Sequence, residues 1–440
     1  MDALIVKIAE QSGLKHMLSF LKLRKKTPLI LSAEKHGMNK GYVEKGVLDI
    51  MNRLRRGGFE AYLVGGCVRD ILLGKKPKDF DVVTDARPNQ IKRLYRRCYL
   101  IGRRFRLAHV YISRDRFVEV STFRAVIDTE PGQENGFAEN NIFGTMDQDV
   151  LRRDFTVNSL YFNSADSSLV DYTGGLRDIR KKILRSIGDP ERRYREDPVR
   201  MIRAARFSAQ LSFSLSRQDL KAALACAPLI AEANSSRLLE ELYKILRCSA
   251  SARTFVNLNH FHLLKHWLPE LASDKQLNRL VPRLEVLDRL RAREVEIPNF
   301  MLITAAFYDL FRDAIYENTD APVFQDAFVL LGQRFTPLMV RLRVPRKDWD
   351  RIRNMVSRVP AFTGSRSSKR WKSFEKRFLR NSHFEDALNL FEIIVEATGE
   401  NSRDLQYWKQ RFSEVKRSHH ARERVPAAGV DADGTGTTDD

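Results

Sequence analysis

The chain has 440 residues, 43% of them hydrophobic and 30% charged, with 76 Lys and Arg against 56 Asp and Glu, a net of +20. With a pI near 9.9, this is a multidomain globular composition suited to a polyanionic partner, nucleic acid before any small acidic ligand. It excludes a membrane helix, since the densest apolar run, Phe300–Phe307, falls short of the roughly 20 residues a span needs. It also argues against a signal peptide, interrupted by Asp2, Lys7 and Glu10, and against a disulfide or zinc framework. Cys67, Cys98, Cys226 and Cys248 are far apart with no Cys-x-x-Cys. A cytoplasmic protein with reduced thiols is expected.

Residues 1–40 mix apolar stretches with Lys22, Arg24, Lys25 and Lys26 and read as a loosely attached basic leader. Val47, Met51 and Leu54 give a helix over Tyr42–Arg56, stopped by Gly57-Gly58. Leu63-Val64-Gly65-Gly66-Cys67-Val68-Arg69-Asp70 is an apolar approach, a glycine pair and a short helical pattern ended by Gly74. Glycines suit a backbone that must come close to a phosphate, because no Cβ intervenes. In Lys78-Asp79-Phe80-Asp81-Val82-Val83-Thr84, strand geometry would aim Asp79 and Asp81 to one face and pack Phe80 and Val82 on the other. Two such carboxylates repel, and a divalent cation removes the conflict. Seen singly, Gly-Gly pairs mark turns and Asp-x-Asp pairs mark loops.

A helix at Ile91, Leu94 and Tyr95 precedes two strands, Leu100–Ile112 and Arg116–Arg124, joined by Ser113-Arg114-Asp115. Residues 41–165 thus form a small α/β head. Glu119 is either an outward-facing residue of an edge strand or a partnered carboxylate, because an unpaired one among apolar residues is costly. Residues 125–150, rich in Pro, Gly and Asn, read as a surface loop.

Leu151-Arg152-Arg153-Asp154-Phe155-Thr156-Val157-Asn158 offers guanidinium forks for triphosphate oxygens, and Asp154 and Asn158 would share a face if the segment is helical. A plain helix-start charge cluster reads the same way. Asp171-Tyr172-Thr173-Gly174-Gly175 reads as a turn. In Glu196-Asp197-Pro198-Val199-Arg200-Met201-Ile202-Arg203, Asp197 is placed to cap a helix opening at Pro198, with Arg200 and Arg203 on one face. Arg237 and Glu241 have the spacing of an ion pair.

From Phe255 to about 415 the composition is helical. His260, His262 and His266 sit among Phe261, Leu263, Leu264 and Trp267 without a fourth ligand, so packing is expected rather than a metal. Arg341–Arg380 holds 14 Lys/Arg against three acids, a net of +11, interleaved with Trp349, Phe362, Trp371, Phe374 and Phe378. This suits an RNA track centred on Arg366, Lys369, Arg370 and Lys372, although the rings suit a core equally. Residues 418–440 read as a disordered tail.

In this order, across roughly residues 35–250, these motifs resemble the class II nucleotidyltransferases, the polymerase-beta-like group of tRNA CCA-adding enzymes and bacterial poly(A) polymerases. The resemblance implies an α+β protein: the nucleotidyltransferase head at 41–165, an all-α neck at 166–250 and an α-helical body at 251–417. It implies Asp79, Asp81, Glu119 and Asp154 as catalytic residues, the first three holding two Mg²⁺. Gly65, Gly66, Arg69, Arg152 and Asn158 would bind the phosphates and sugar of ATP, and Asp197, Arg200 and Arg203 its base. Asp171–Ile179 resembles the linker between head and neck. Gly102–Val110 resembles the segment of the poly(A) branch, so the expected activity is template-independent addition of AMP to RNA 3′ ends. The alternatives are CCA addition to tRNA and a non-catalytic RNA-binding adaptor. The expected partners are RNA and ATP, with no membrane; RNA-decay proteins are candidates that the sequence does not identify.

Overall fold

The computed structural model describes residues 27–102, 107–125, 143–317, 319, 322–364, 366–367 and 369–423, the side chains as far as 417. Two compact units divide them. The first runs to Ala233 and includes Asn257–Trp267; the second comprises Asn234–Val256 and everything from Leu268 onward. The expected head and the expected neck as far as Ala233 therefore belong to one unit, whereas the end of that neck, with helix Ser235–Arg247, belongs with the body.

The first unit is built on an eight-stranded sheet: β1 Leu29–Leu31, β2 Tyr62–Val64, β3 Asp81–Thr84, β4 Cys98–Ile101, β5 Leu107–Tyr111, β6 Phe117–Thr122, β7 Leu160–Phe162 and β8 Leu169–Asp171. Its spatial order is β1-β8-β7-β2-β3-β6-β5-β4. Only the β3–β6 pair is parallel, with Asp81 opposite Glu119. Glu119 thus lies on an interior strand, not an edge. The main core covers one face, where Leu63, Val82, Ala108, Val110, Val118 and Val120 meet helix Lys45–Arg56 through Val47, Ile50, Met51 and Leu54. Each buried Val, Leu, Ile or Met among these contributes about 1.5–3 kcal/mol, Ala108 less. A smaller cluster, Val64, Val83, Phe123, Val150, Tyr161 and Val170, covers the opposite face at the β8-β7-β2-β3 end.

Several expectations change here. Residues from Leu29 are integral to the sheet: β1 pairs with β8, and buried His36 meets the Ser167 carbonyl at 2.8 Å through Nε2. The leader expected over 1–40 therefore shrinks, with residues 1–26 outside the described set. The 125–150 segment contains helix Met146–Arg152, opened by a capping box between Thr145 and Gln148, while residues 126–142 lie outside the described set. The final helix, Ser402–Glu423, continues into the expected disordered tail, of which residues 424–440 lie outside the described set.

The second unit is helical. Its centre is Asn299–Ile315, buried along most of its length, with Arg283 reaching the Ala305 carbonyl and pairing with buried Asp309. Phe362 stacks on Phe391 at 4.9 Å, and the Trp408 indole N–H donates to the Phe362 carbonyl at 2.9 Å. Trp349, Phe362 and Phe378 are buried, so three of the five rings interleaved with the basic stretch are core, and Trp371 and Phe374 are half-buried. In the first unit, His260 and His262 are exposed while Phe261, Leu263, Leu264 and Trp267 are buried. The expected packing thus belongs to the histidines' neighbours. Among the described residues no three metal-ligating side chains converge, and no helix is long and apolar enough to cross a membrane.

Candidate active site

β2 turns into helix Gly66–Leu72 through the single residue Gly65, at φ 82° and ψ −140°. A Cβ at Gly65 would lie 3.3 Å from Asp81 Oδ2, so backbone conformation and close approach both call for glycine. Asp81 is the first residue of β3; Asp79 precedes the strand and is exposed, so the two carboxylates do not stand on one regular strand face. Burial, then the charge of Glu119, push the Asp81 pKa up to about 6; Arg153 opposes this and Asp79 adds to it. Glu119 is 45% exposed at its side chain and lies 3.6 Å from His109 Nε2. Desolvation therefore does not single out Glu119. Its position opposite Asp81 does.

Beside this row stands a wall of guanidinium groups held by one acid. Asp149, fully buried, accepts from Arg152 Nε at 2.6 Å, from Arg153 Nε at 3.0 Å and from the Tyr161 hydroxyl at 2.7 Å. Burial would raise the Asp149 pKa, but Arg153 and Arg152 hold it below the usual carboxylate range. Arg124 joins the cluster through its backbone N–H, 3.3 Å from Asp149, and burial beside Arg152 lowers its guanidinium to about 10. Three arginines around one carboxylate leave positive charge uncompensated within the group.

A second chain of contacts ties the glycine helix to the helices that follow. Arg69 donates to Asn158 Oδ1 at 2.7 Å, Asn158 donates to Asp154 Oδ1 at 3.1 Å, and Arg203 donates to Asp154 Oδ2 at 3.1 Å. Asp154 and Asn158 meet although the segment is not an α-helix. The helix ends at Arg152, and a 3-10 turn Thr156–Asn158 brings the two together. Phe207, on helix Val199–Leu211, carries Arg69, Arg203 and Arg206 against its ring at 5.4, 5.4 and 4.4 Å.

Asp197 closes helix Pro190–Glu196, and Pro198, not Asp197, takes the N-cap position of the next helix. The Asp197 carboxylate lies 3.6 Å from Arg200 Nε, and Arg200 Nη1 is buried without a hydrogen-bond partner. Arg193 donates to the carbonyls of Arg152 and Arg153 at 3.0 and 2.8 Å. Burial, then Arg200, lower its guanidinium to about 10. Asp171 is more than a turn residue: its carboxylate accepts from the backbone N–H groups of Thr173, Gly174, Gly175 and Leu176 at 2.8–3.0 Å and so anchors helix Gly175–Lys181. In the second unit, Arg366 pairs with Asp404 and stacks on Tyr407 at 4.0 Å, while Lys369, Arg370 and Lys372 are exposed. Of the segment Gly102–Val110, residues 103–106 lie outside the described set.

Sequence reasoning missed Asp149, Tyr161, Arg193 and Phe207, and saw Arg153 only as part of its motif. The Asp149–Arg152–Arg153 spacing of three and four is the sequence signal that points to this cluster.

A family model described as "Poly A polymerase head domain" matches residues 61–185, and one described as "Probable RNA and SrmB- binding site of polymerase A" matches 212–275. Poly(A) polymerase I of Salmonella typhi is 34% identical over 407 residues, covering 88% of this chain and 86% of its own. The chain belongs to the poly(A) polymerase family. Relatedness to the other branch is shorter: a CCA-adding enzyme of Bacillus licheniformis is 34% identical over 229 residues, 52% of this chain and 56% of its own. The fold of the Bacillus stearothermophilus CCA-adding enzyme, in complex with CTP, covers 84% of this chain and 83% of its own at a TM-score of 0.61 and 24% identity. The family's RNA-binding description falls on 212–275, outside the basic stretch 341–380.

Proposed function

We propose that this chain adds AMP from ATP to the 3′-OH of RNA without a template and releases pyrophosphate. The observation that carries this reading is the row of Asp81 and Glu119 facing an arginine wall, in a chain related to poly(A) polymerase I over most of its length. In the reaction a bond forms between the RNA 3′ oxygen and the α-phosphorus, and the bond to the β-phosphate oxygen breaks. The leaving group gains negative charge, and Arg152 and Arg153, both fixed by Asp149, are placed to meet it without reorganising. Gly65 and Gly66 allow the backbone to approach the phosphates, and Arg69 and Asn158 are braced to hold the sugar and triphosphate.

Asp81 and Glu119, opposite one another on neighbouring strands, suit a divalent cation, although with Asp79 exposed ahead of the strand the three carboxylates do not converge here. Asp79, Asp81 and Glu119 would hold Mg²⁺. Bound there, two ions would activate the 3′-OH and steady the leaving pyrophosphate. Base reading falls to Asp197 and Arg200. Adenine presents an amino donor beside a ring acceptor, matching a carboxylate beside the partnerless Arg200 Nη1. Arg203 and Asp154, besides the nucleotide and catalytic parts the resemblance implies, would brace the turn that carries Asn158. The reading implies a cytoplasmic enzyme acting on RNA before its decay.

CCA addition is the second reading, favoured by the shared head and by cytosine's equivalent donor–acceptor edge. The deciding experiment incubates the purified chain with an unstructured RNA and each nucleoside triphosphate singly. Long tails from ATP alone support the proposal. Inert RNA together with completion of a truncated tRNA by three nucleotides overturns it.

A further inference from the structure

The sheet has an outer face that its own core does not explain. Along β4, β5 and β6 the inward residues Cys98, Ala108, Val110, Val118 and Val120 already lie in the main core. The opposite face of a one-sidedly covered antiparallel sheet is ordinarily polar. Here it carries Tyr99, Ile101, His109, Tyr111 and Phe117, with Tyr99, Ile101 and Phe117 exposed by 61%, 46% and 43%. The small second core lies under β8, β7, β2 and β3, and contains no residue of β4, β5 or β6.

The rings are ordered. His109 stacks on Phe117 at 4.0 Å and 10° between planes, Tyr111 meets Phe117 at 5.6 Å, and Tyr99 meets Tyr111 edge-on at 5.6 Å. The Arg97 guanidinium lies 5.7 Å from the Tyr111 ring centre. Strand register joins this patch to the carboxylates: Asp81 is opposite Glu119, Glu119 opposite His109, and His109 opposite Tyr99. Three interstrand steps of about 4.8 Å place Tyr99 about 14 Å from Asp81. At roughly 3.4 Å or more per nucleotide of a single strand, that distance spans about two to four nucleotides.

We propose that this face is the platform on which the last nucleotides of the RNA primer stack while their 3′-OH is delivered to Asp81 and Glu119. The inference rests on the polymerase reading above and names the primer's seat within it. Continuity with the carboxylate row selects the occupant, because a primer must enter alongside those carboxylates. Its chemistry agrees, since every base presents a flat face to an aromatic ring and its phosphates suit Arg97 and a chain of net charge +20. Stacking is indifferent to sequence, as an enzyme that extends many RNAs requires.

The test uses the full chain carrying Tyr99→Ala and Phe117→Ala, both exposed and neither in the core, with circular dichroism confirming the fold. Two readouts apply: KM for an oligoadenylate primer, and quenching of 2-aminopurine placed at the 3′ end or three nucleotides from it. The expected result is a primer KM raised at least roughly tenfold, KM for ATP within about threefold of wild type, and loss of the quench. Tyr99→Phe with Phe117→Tyr should restore both. Unchanged primer KM and quench in the double alanine variant overturn the platform while leaving the polymerase reading intact. Should wild type incorporate no nucleotide, the polymerase reading fails, and quenching that depends on Tyr99 and Phe117 still reports RNA on this face. Self-association abolished by the double variant, with RNA contact untouched, assigns the face to a second copy and overturns the proposal.

Discussion

Arg203 donates to Asp154 at 3.1 Å, and with that bond helix Val199–Leu211 grips the turn that follows the two arginines Arg152 and Arg153. Burial would raise the Asp154 pKa, but Arg203, then Asn158 and the Phe155 N–H, hold it below the usual range. The resemblance implied Asp154 in the catalytic set and Arg203 at the base. Their mutual bond gives them a bracing contact as well. Arg203→Ala leaves a largely buried carboxylate without its cation and should cost about 2 kcal/mol in urea unfolding. A double-mutant cycle with Asp154→Asn separates brace from base reader: strong coupling in stability is expected, whereas coupling only in KM for ATP would return Arg203 to the base.

Asp149 should show the same logic at greater depth. Asp149→Asn removes the charge that holds Arg152 and Arg153 and should destabilise the fold by about 3–5 kcal/mol at neutral pH. Its folded pKa is lowered, so near pH 4 the unfolded chain binds more protons than the native one. Stability from this group is therefore full above the ordinary carboxylate pKa of about 3.9 and is lost as pH falls through the lower folded value. Unfolding followed from pH 6 to pH 3 should be steeper in wild type than in Asp149→Asn. Parallel curves would show that Asp149 contributes no linkage.

Much of this was legible because it is local. Gly65, Gly74 and Gly58 stand at φ 82°, 72° and 83°, where the sequence placed turns or stops. The Gly57–Gly58 stop and the β5–β6 hairpin follow from patterns within a dozen residues. What escaped depends on contacts far apart in sequence. Asn158 reaches Arg69, and Arg193 reaches the Arg152 carbonyl, across 89 and 41 residues of intervening strands and helices. Gly175 read as a turn residue, yet a Cβ there would sit 2.2 Å from the Thr156 carbonyl, a packing constraint invisible to local propensity. In the basic stretch composition left two readings open, since aromatic residues in a core and on a stacking surface are the same letters; the fold assigns Trp349, Phe362 and Phe378 to the core.

Asp81→Asn should lower turnover by at least ~100-fold with RNA affinity nearly unchanged, because it removes charge where the reaction develops it. Asp79→Asn should have the smaller effect of the two, as Asp79 is exposed ahead of the strand. Single-turnover rates with saturating RNA measure both. An Asp81→Asn rate within a few-fold of wild type would remove the carboxylate row from the chemistry.

In the body, Lys369, Arg370 and Lys372 are exposed, whereas Arg366 is engaged with Asp404 and Tyr407. Replacing the first three with Ala should weaken RNA binding and make the slope of log K against log salt shallower by about 0.7 per lost phosphate contact. Arg366→Ala should act on stability first. An unchanged salt slope for the triple variant would move the track elsewhere, the stretch 212–275 being the next place to look.

On the proposed reading, the pocket that admits the base is where the two branches would differ. Asp197 and Arg200, 3.6 Å apart, offer an acceptor beside a donor, and adenine and cytosine both answer that pattern. Arg200 Nη1, buried and partnerless, should be satisfied by the base, so Arg200→Ala should raise KM for ATP with primer KM unmoved. It should not by itself exchange ATP for CTP, because the pattern it reads is common to both. Discrimination must then come from the shape around the pair. Each well-made base contact is worth ~1–3 kcal/mol, enough for an ATP preference of roughly ten- to a hundredfold. On an unstructured primer ending in adenosine, ATP should give tails of many residues and CTP at most a few. If CTP is used as readily, or if only a tRNA lacking its end is extended and stops after three additions, the pocket belongs to a CCA-adding enzyme. The fold and the carboxylate row would keep their roles, since both branches need the same phosphoryl chemistry and differ only in the base admitted to it.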